Sequence, residues 1–284
     1  MNKLAHTTAA LAALMLVANV AHADGDAPNF GNCQPVGKAG SISLETVTPD
    51  TLTVAAVLPS PGWYNGVSPE RIADGFEYCM AADVAQRAGL KHLKIMNLAW
   101  DQYISGTARG YDIAIAGTTI TEPRKKVFDF SQPYFSSNLG IAVKDGSDIS
   151  ENNVREQRIG VLQGNVGSEW VRTVLKPAQQ PSVYQSQPDM LTALLAGQVD
   201  AIVTDTTLAL SATSGTNGRI QVIGQFELDQ GYGVITPKGS PNTAAVDSVV
   251  GDLKKEGTLD ALSKKYLAPL FGVDPNSVPV WQVK

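Results

Sequence analysis

The hydrophobic positions of this chain repeat one alternation twice. Residues 52–57 form an apolar run of strand length. Residues 75–88 then place Phe76, Cys79, Met80 and Val84 at helical spacing up to Gly89, and 92–98 read as a strand again. Residues 101–109 predict a short helix and 112–116 a third strand. The second round predicts strands at 158–162, 182–184 and 199–204, with helices at 168–175 and 189–196, the last with Pro188 near its start. Each round is a β-α-β-α-β succession, which implies a mainly parallel sheet with right-handed crossovers. Two such units predict an α/β protein of two lobes joined by extended segments near 141–146 and 231–237, with ligand held at the carboxyl ends of the strands. A single doubly wound domain would satisfy the same periodicity.

The chemistry is concentrated after the third strand, in YDIAIAGTTITEPRKKVFDFSQPYF at 111–135. Gly117 lets the backbone leave the sheet without a Cβ clash, and Thr118, Thr119 and Thr121 follow at once. Arg124 then offers a planar guanidinium that can grip a carboxylate through two parallel hydrogen bonds. Beside Lys125 and Lys126 it could equally be a solvated helix-start residue. After the strand at 158–162, the loop from Gln163 through Gly164, Asn165, Val166 and Gly167 to Ser168 runs into a helix, so backbone N–H groups there can face an anion such as a carboxylate. The other reading is a tight turn capped by Ser168. The loop is too short for a P-loop and lacks its lysine, which excludes nucleotide binding.

This segment resembles the signature of the extracytoplasmic solute-binding proteins of family 3, the polar amino-acid type. The resemblance is carried by Gly117, Thr119, Thr121, Arg124 and the run Asp129-Phe130-Ser131-Gln132-Pro133-Tyr134. It extends more weakly from 52 to 267, through GFEYCMAADVAQRAGL at 75–90, RIGVLQGNVGSE at 158–169, GQVDAIVTD at 197–205 and GTLDALSKKYL at 257–267. It implies a two-lobed periplasmic binding fold of type II with a two-segment hinge. The expected division is an N-terminal extension at 24–50, a first lobe at 51–143 plus 237–284, and a second lobe at 144–236. It also implies a ligand set: Arg124 and the backbone of Gly164, Asn165 and Val166 for an amino acid's carboxylate, Asp205 and the Gly117 carbonyl for its ammonium, and Thr118 and Thr119 beside them. Trp63 or Tyr64 would form an aromatic wall. Asp205 could also serve as a helix cap.

Departures from the family pattern refine this. Asn165 and Val166 stand where hydroxyls are common, so backbone donors carry more of the carboxylate contact. Val57 replaces an acid often found in binders of basic amino acids, which disfavours a cationic ligand. Glu77 keeps the first acid of the usual Gly-Phe-Asp-x-Asp motif while Cys79 replaces the second. The function implied is a receptor of an amino-acid ABC importer, closing on its ligand like a flytrap and delivering it to a membrane permease, with no cofactor and as a monomer. The second reading is a cyclohexadienyl or arogenate dehydratase on the same fold. It needs a cleft carboxyl kept protonated by burial, for which Glu122 and Glu169 are the acids near the loops.

Composition sets the compartment. Residues 1–23 read as a secretory signal peptide: Lys3, an apolar run at 11–20, and Ala21-His22-Ala23 before Asp24. This predicts a periplasmic protein, and a lipobox is missing before Cys33. The formal charge of −5 argues against nucleic acid and anionic membranes as partners. Of the three histidines, His6 and His22 fall in the leader, leaving His92 in a strand, too few for a histidine triad or a histidine-rich metal site. The two cysteines, Cys33 and Cys79, form a disulfide if paired in this oxidising compartment, although Cys79 also fits as a small core residue of its helix. The stretch 24–40 is the one composition marks as disordered.

Overall fold

In the computed structural model, which describes residues 27–228 and 230–282, the opening apolar run becomes β1 (Thr51–Ala56), buried from its second residue onward. It is followed by α1 (Phe76–Arg87), β2 (His92–Asn97), α2 (Trp100–Ile104), β3 (Ile113–Ala114), α3 (Glu122–Lys125) and β4 (Phe128–Ser136). The second round supplies β5 (Leu139–Lys144), β6 (Ile159–Leu162), α4 (Val166–Trp170), β7 (Ser182–Tyr184), α5 (Gln187–Leu195), β8 (Ala201–Asp205), α6 (Thr206–Ser214) and β9 (Ile220–Phe226). The chain closes with β10 (Gly231–Pro237), α7 (Thr243–Lys255), α8 (Thr258–Leu262) and α9 (Ala268–Phe271). The leader expected at 1–23 lies outside the described residues.

The strands form two five-stranded sheets, ordered β2-β1-β3-β10-β4 and β7-β6-β8-β5-β9. In each, the reversed strand is the one entered after the chain has crossed between lobes: β10 runs antiparallel to β3 and β4, and β5 to β8 and β9. The two-lobed α/β fold is therefore present, with each sheet mixed by a single strand.

The strand pairing moves the expected crossings. Residues 139–144 and 231–237 are not linkers but paired strands, and the crossings fall just before them, at 137–138 and after Phe226. The reason is visible in the side chains: Leu139, Ile141, Ala142 and Val143 are buried in the second sheet, and Tyr232, Val234 and Ile235 in the first. Extended backbone whose successive residues are buried on both faces belongs inside a sheet, where it pairs rather than hinges. A third crossing corrects the assignment of 237–284 to one lobe. After α9, Val278 and Trp281 are buried, with Trp281 packed against Phe226 of the second sheet. The backbone there pairs with Gln225: its N–H donates to the Pro279 carbonyl and its carbonyl accepts from Trp281, both at 2.8 Å. Gly224 is required at the contact, since a Cβ would lie 2.3 Å from the Trp281 ring.

The cores follow the sheets. Leu52, Val54, Ile113 and Val234 pack with Phe76, Met80 and Val84 of α1 and Val246, Val249 and Leu253 of α7. Leu139, Ile141, Val161, Val171 and Val203 make the second core. The N-terminal segment, marked as disordered by composition, docks on the first lobe. Asn29 pairs with His92, Phe30 is buried, and Glu45 and Asn242 exchange two hydrogen bonds of 2.9 and 2.8 Å. Its Cys33 is disulfide-bonded to Cys79 of α1, 46 residues away. By the chain-entropy argument such a loop stabilises by about 4 kcal/mol. Reduction, or Cys33→Ser with Cys79→Ser, should lower the unfolding free energy by roughly 2–4 kcal/mol in urea titrations. Coincident curves with and without reductant would refute this role.

Candidate functional site

The left-handed turn at Gly117 (φ 55°) and the hydroxyl run after it bring the chain from β3 to α3. There the Thr121 side chain caps α3 by accepting the Arg124 N–H, which fixes the helix start and turns Arg124 inward. Arg124 is not a solvated surface residue, being 8% exposed. Its Nη1 donates to the Thr119 carbonyl at 2.7 Å and its Nη2 to the Gly164 carbonyl of the second lobe at 3.0 Å, while the guanidinium lies 5.8 Å from the Trp100 ring centroid. Burial pulls its pKa down from the ordinary arginine value, and the nearby Asp205 opposes that shift.

Asp205, at the end of β8, is 1% exposed. It starts α6 without capping it through its side chain. Its carboxylate instead accepts from Asn165 Nδ2 at 3.0 Å and Gln230 Nε2 at 3.2 Å. Burial raises its pKa, while the bond from Asn165 works in the other direction. Asn165 rather than Ser168 caps α4, its Oδ1 accepting the Gly167 N–H at 2.7 Å. Val166, the first residue of α4, does not line the cavity described next.

Between the lobes lies a cavity of about 400 Å³, lined among others by Val57, Trp63, Glu77, Trp100, Gly117, Asn165 and Leu208. A larger and more open hollow of about 1020 Å³ lies behind the crossing strands near Lys254 and Asn276, and none of the expected site residues lines it. The walls of the smaller cavity are in contact across the lobes: Trp100 Nε1 donates to the Gln163 carbonyl at 2.7 Å, and Trp63 Nε1 to Ser211 Oγ at 3.2 Å.

The other expected residues divide. Trp63 reaches the cavity, although its ring is held edge-on by Phe76, Phe135 and Tyr232. Tyr64 does not reach it. Its hydroxyl donates to the Ile115 carbonyl at 2.9 Å, which ties the ring into the first lobe. Thr118 is fully buried against Tyr103, their hydroxyls 2.8 Å apart, and Thr119 Oγ1 donates to Gln230 Oε1 at 3.1 Å. Glu122 and Glu169 are exposed and paired with Lys125 and Arg172, and Trp170 packs on Phe226. Neither acid has the burial that would keep a carboxyl protonated.

The match to known proteins agrees with the two-lobed fold. Residues 60–269 match the bacterial extracellular solute-binding proteins, family 3. The chain belongs to that family. It is 30% identical over 205 residues to the L-cystine-binding protein TcyJ of Escherichia coli, covering 70% of this chain and 75% of that one. It is 32% identical over 161 residues to the ABC transporter glutamine-binding protein GlnH of Bacillus subtilis, covering 55% and 58%. Among solved structures it resembles an ancestral arginine-binding protein bound to arginine, at 28% identity and a TM-score of 0.68, covering 77% of this chain and 99% of that one.

Within this family 3 protein, Trp100 and Gln230 escaped the sequence reading, and Glu77 was noted there only as the first acid of its motif, without a place in the site. Trp100 opens α2 directly after β2, and an aromatic at the carboxyl end of a strand was the signal available. Gln230, between β9 and β10, joins Thr119 of one lobe to Asp205 of the other. Glu77, in the first turn of α1, is buried in the cavity wall and accepts from Tyr134 and, at 2.8 Å, from the Gly117 N–H.

Proposed function

We propose that the protein is the extracytoplasmic receptor of an ABC importer, exported with removal of its leader, that binds one free α-amino acid between its lobes and presents it to a membrane permease. The observation that carries this is a buried cation, Arg124, and a buried anion, Asp205, placed at the lobe interface just behind the cavity lining: Arg124 bonds Gly164 of the other lobe and lies over Trp100, and Asp205 bonds Asn165, while neither lines the cavity itself. Opposite charges held apart at that position fit a zwitterion's carboxylate and ammonium. Gly117, Thr118, Thr119, Gly164, Asn165 and Val166 form the surrounding shell in this reading, and Trp63 and Trp100 the aromatic walls. The ligands for which these relatives are named, cystine, glutamine and arginine, share the same α-amino acid end.

An uncharged side chain suits the cavity best: among the described residues no cation lines it to pair an acidic one, Val57 supplies no counter-charge to a basic one, and the one acid there, Glu77, already accepts from Tyr134 and the Gly117 N–H. The protein acts as a monomer and without catalysis. The dehydratase reading loses its two expected acids, Glu122 and Glu169, to the surface; the buried acid that does line the cavity, Glu77, is engaged by Tyr134 and the Gly117 N–H, and only turnover would assign it catalysis.

The test is a thermal-shift panel of amino acids, opines and small organic acids on protein stripped of ligand by reversible unfolding. A true ligand at 100 times its Kd should add about 2.7 kcal/mol of stability. No shift with any amino acid, or conversion of prephenate or arogenate to phenylpyruvate or phenylalanine, would overturn the receptor reading.

A further inference from the structure

Glu77 has no part in the zwitterion site as drawn above, yet it is 1% exposed and lines the interlobe cavity. Among the described residues that line this cavity it is the sole ionisable side chain. One of its oxygens, Oε1, takes both the Tyr134 hydroxyl and the Gly117 N–H, which leaves Oε2 as its remaining acceptor. The Gly117 amide is held by this carboxyl group at the turn from which the adjoining carbonyl is proposed to meet the ligand's ammonium. The titratable groups facing Glu77 are the hydroxyls of Tyr134, Tyr64 and Tyr103, with no cation paired to it.

We propose that Glu77 is a specificity-determining residue of the cleft, which while ionised repels ligands whose side chain carries a negative charge and leaves neutral side chains unaffected. The inference rests on the receptor reading given above. Its physical basis is a like charge in a cavity without a counter-ion, where repulsion is poorly screened. Burial also raises the Glu77 pKa to about 7, against the opposing hydrogen bonds from Tyr134 and Gly117. The sign follows. Above that pH the carboxylate is ionised and discrimination is greatest; below it the group is neutral and an acidic side chain, still ionised itself, is tolerated better.

The experiment measures Kd by calorimetry for two matched pairs, glutamine with glutamate and asparagine with aspartate, at about pH 5.5 and about pH 8.5. Changes in Arg124 or Asp205 act on the shared α-carboxylate and α-ammonium and so cancel within a pair. The acid-to-amide Kd ratio should be about tenfold larger at the higher pH. Glu77→Gln keeps an acceptor for Gly117 and should abolish that pH dependence. Tyr134→Phe removes a bond that favours the ionised form, so the pH at which the ratio changes should move upward, which keeps the test open should Glu77→Gln fold poorly. A ratio independent of pH, or one unchanged in Glu77→Gln, would overturn the proposal while leaving the receptor reading intact. Failure of every pair to bind the wild type, together with a silent thermal-shift panel, would sink both.

Discussion

Replacing Arg124 by alanine is expected to weaken binding of the cognate amino acid by about 2–5 kcal/mol, because the ligand carboxylate would be desolvated without its partner. The guanidinium is pre-oriented by two backbone carbonyls and the Trp100 ring, so little side-chain freedom remains to be lost on binding. It uses two of its five donors on those carbonyls, and the rest are free to engage a carboxylate. Arg124→Lys keeps the charge but loses the planar fork, and should recover only part of the loss. Titration calorimetry of the three proteins, with melting temperatures as a folding control, decides the matter. An alanine variant that binds within about threefold of wild type would remove Arg124 from the site.

Asp205→Asn should have a comparable effect of about 2–4 kcal/mol, but confined to ligands with an α-ammonium. The variant also leaves one of the two donors, Asn165 Nδ2 or Gln230 Nε2, facing an amide instead of a carboxylate oxygen. That structural cost applies to every ligand, whereas loss of the charge applies only to the cationic group. The informative quantity is therefore the ratio of affinities for an amino acid and its deaminated analogue. A ratio unaffected by the substitution would show that Asp205 organises the cleft without pairing to the ligand.

Much of the fold was legible because strands and helices carried different periods. Residues 52–57 and 158–162 are largely apolar runs of strand length, 92–98 mixes apolar residues with His92, Lys94 and Asn97 over a similar length, and α1 shows helical spacing up to Gly89. The crossing strands were harder. β5 and β10 read as extended linkers because an apolar run of six or seven residues looks alike whether it joins two sheets or enters one, and pairing is a long-range property. The position of Arg124 could be read from its motif, but its inward orientation depends on the Thr121 cap and on the second lobe's Gly164 carbonyl. The choice between Trp63 and Tyr64 for the aromatic wall stayed open in the sequence, because successive side chains leave the backbone in different directions and spacing does not say which of them reaches the cavity; Trp63 does and Tyr64 does not. Glu77 and Gln230 act through partners 40 and 111 residues away, a relation that no local spacing encodes.

Both chain ends also change how the sheets meet other molecules. β2 and β9 are outermost in their sheets, each with one strand neighbour, and such strands present unpaired N–H and C=O groups that invite pairing with another chain. Asn29 bridges to His92 on β2, and Val280 bridges to Gln225 on β9, so each terminal segment occupies part of one of these edges. Both segments lie outside the 60–269 match to the family. Trimming either end would uncover a sheet edge, and the consequence to look for is self-association of otherwise folded protein rather than loss of the ligand cleft.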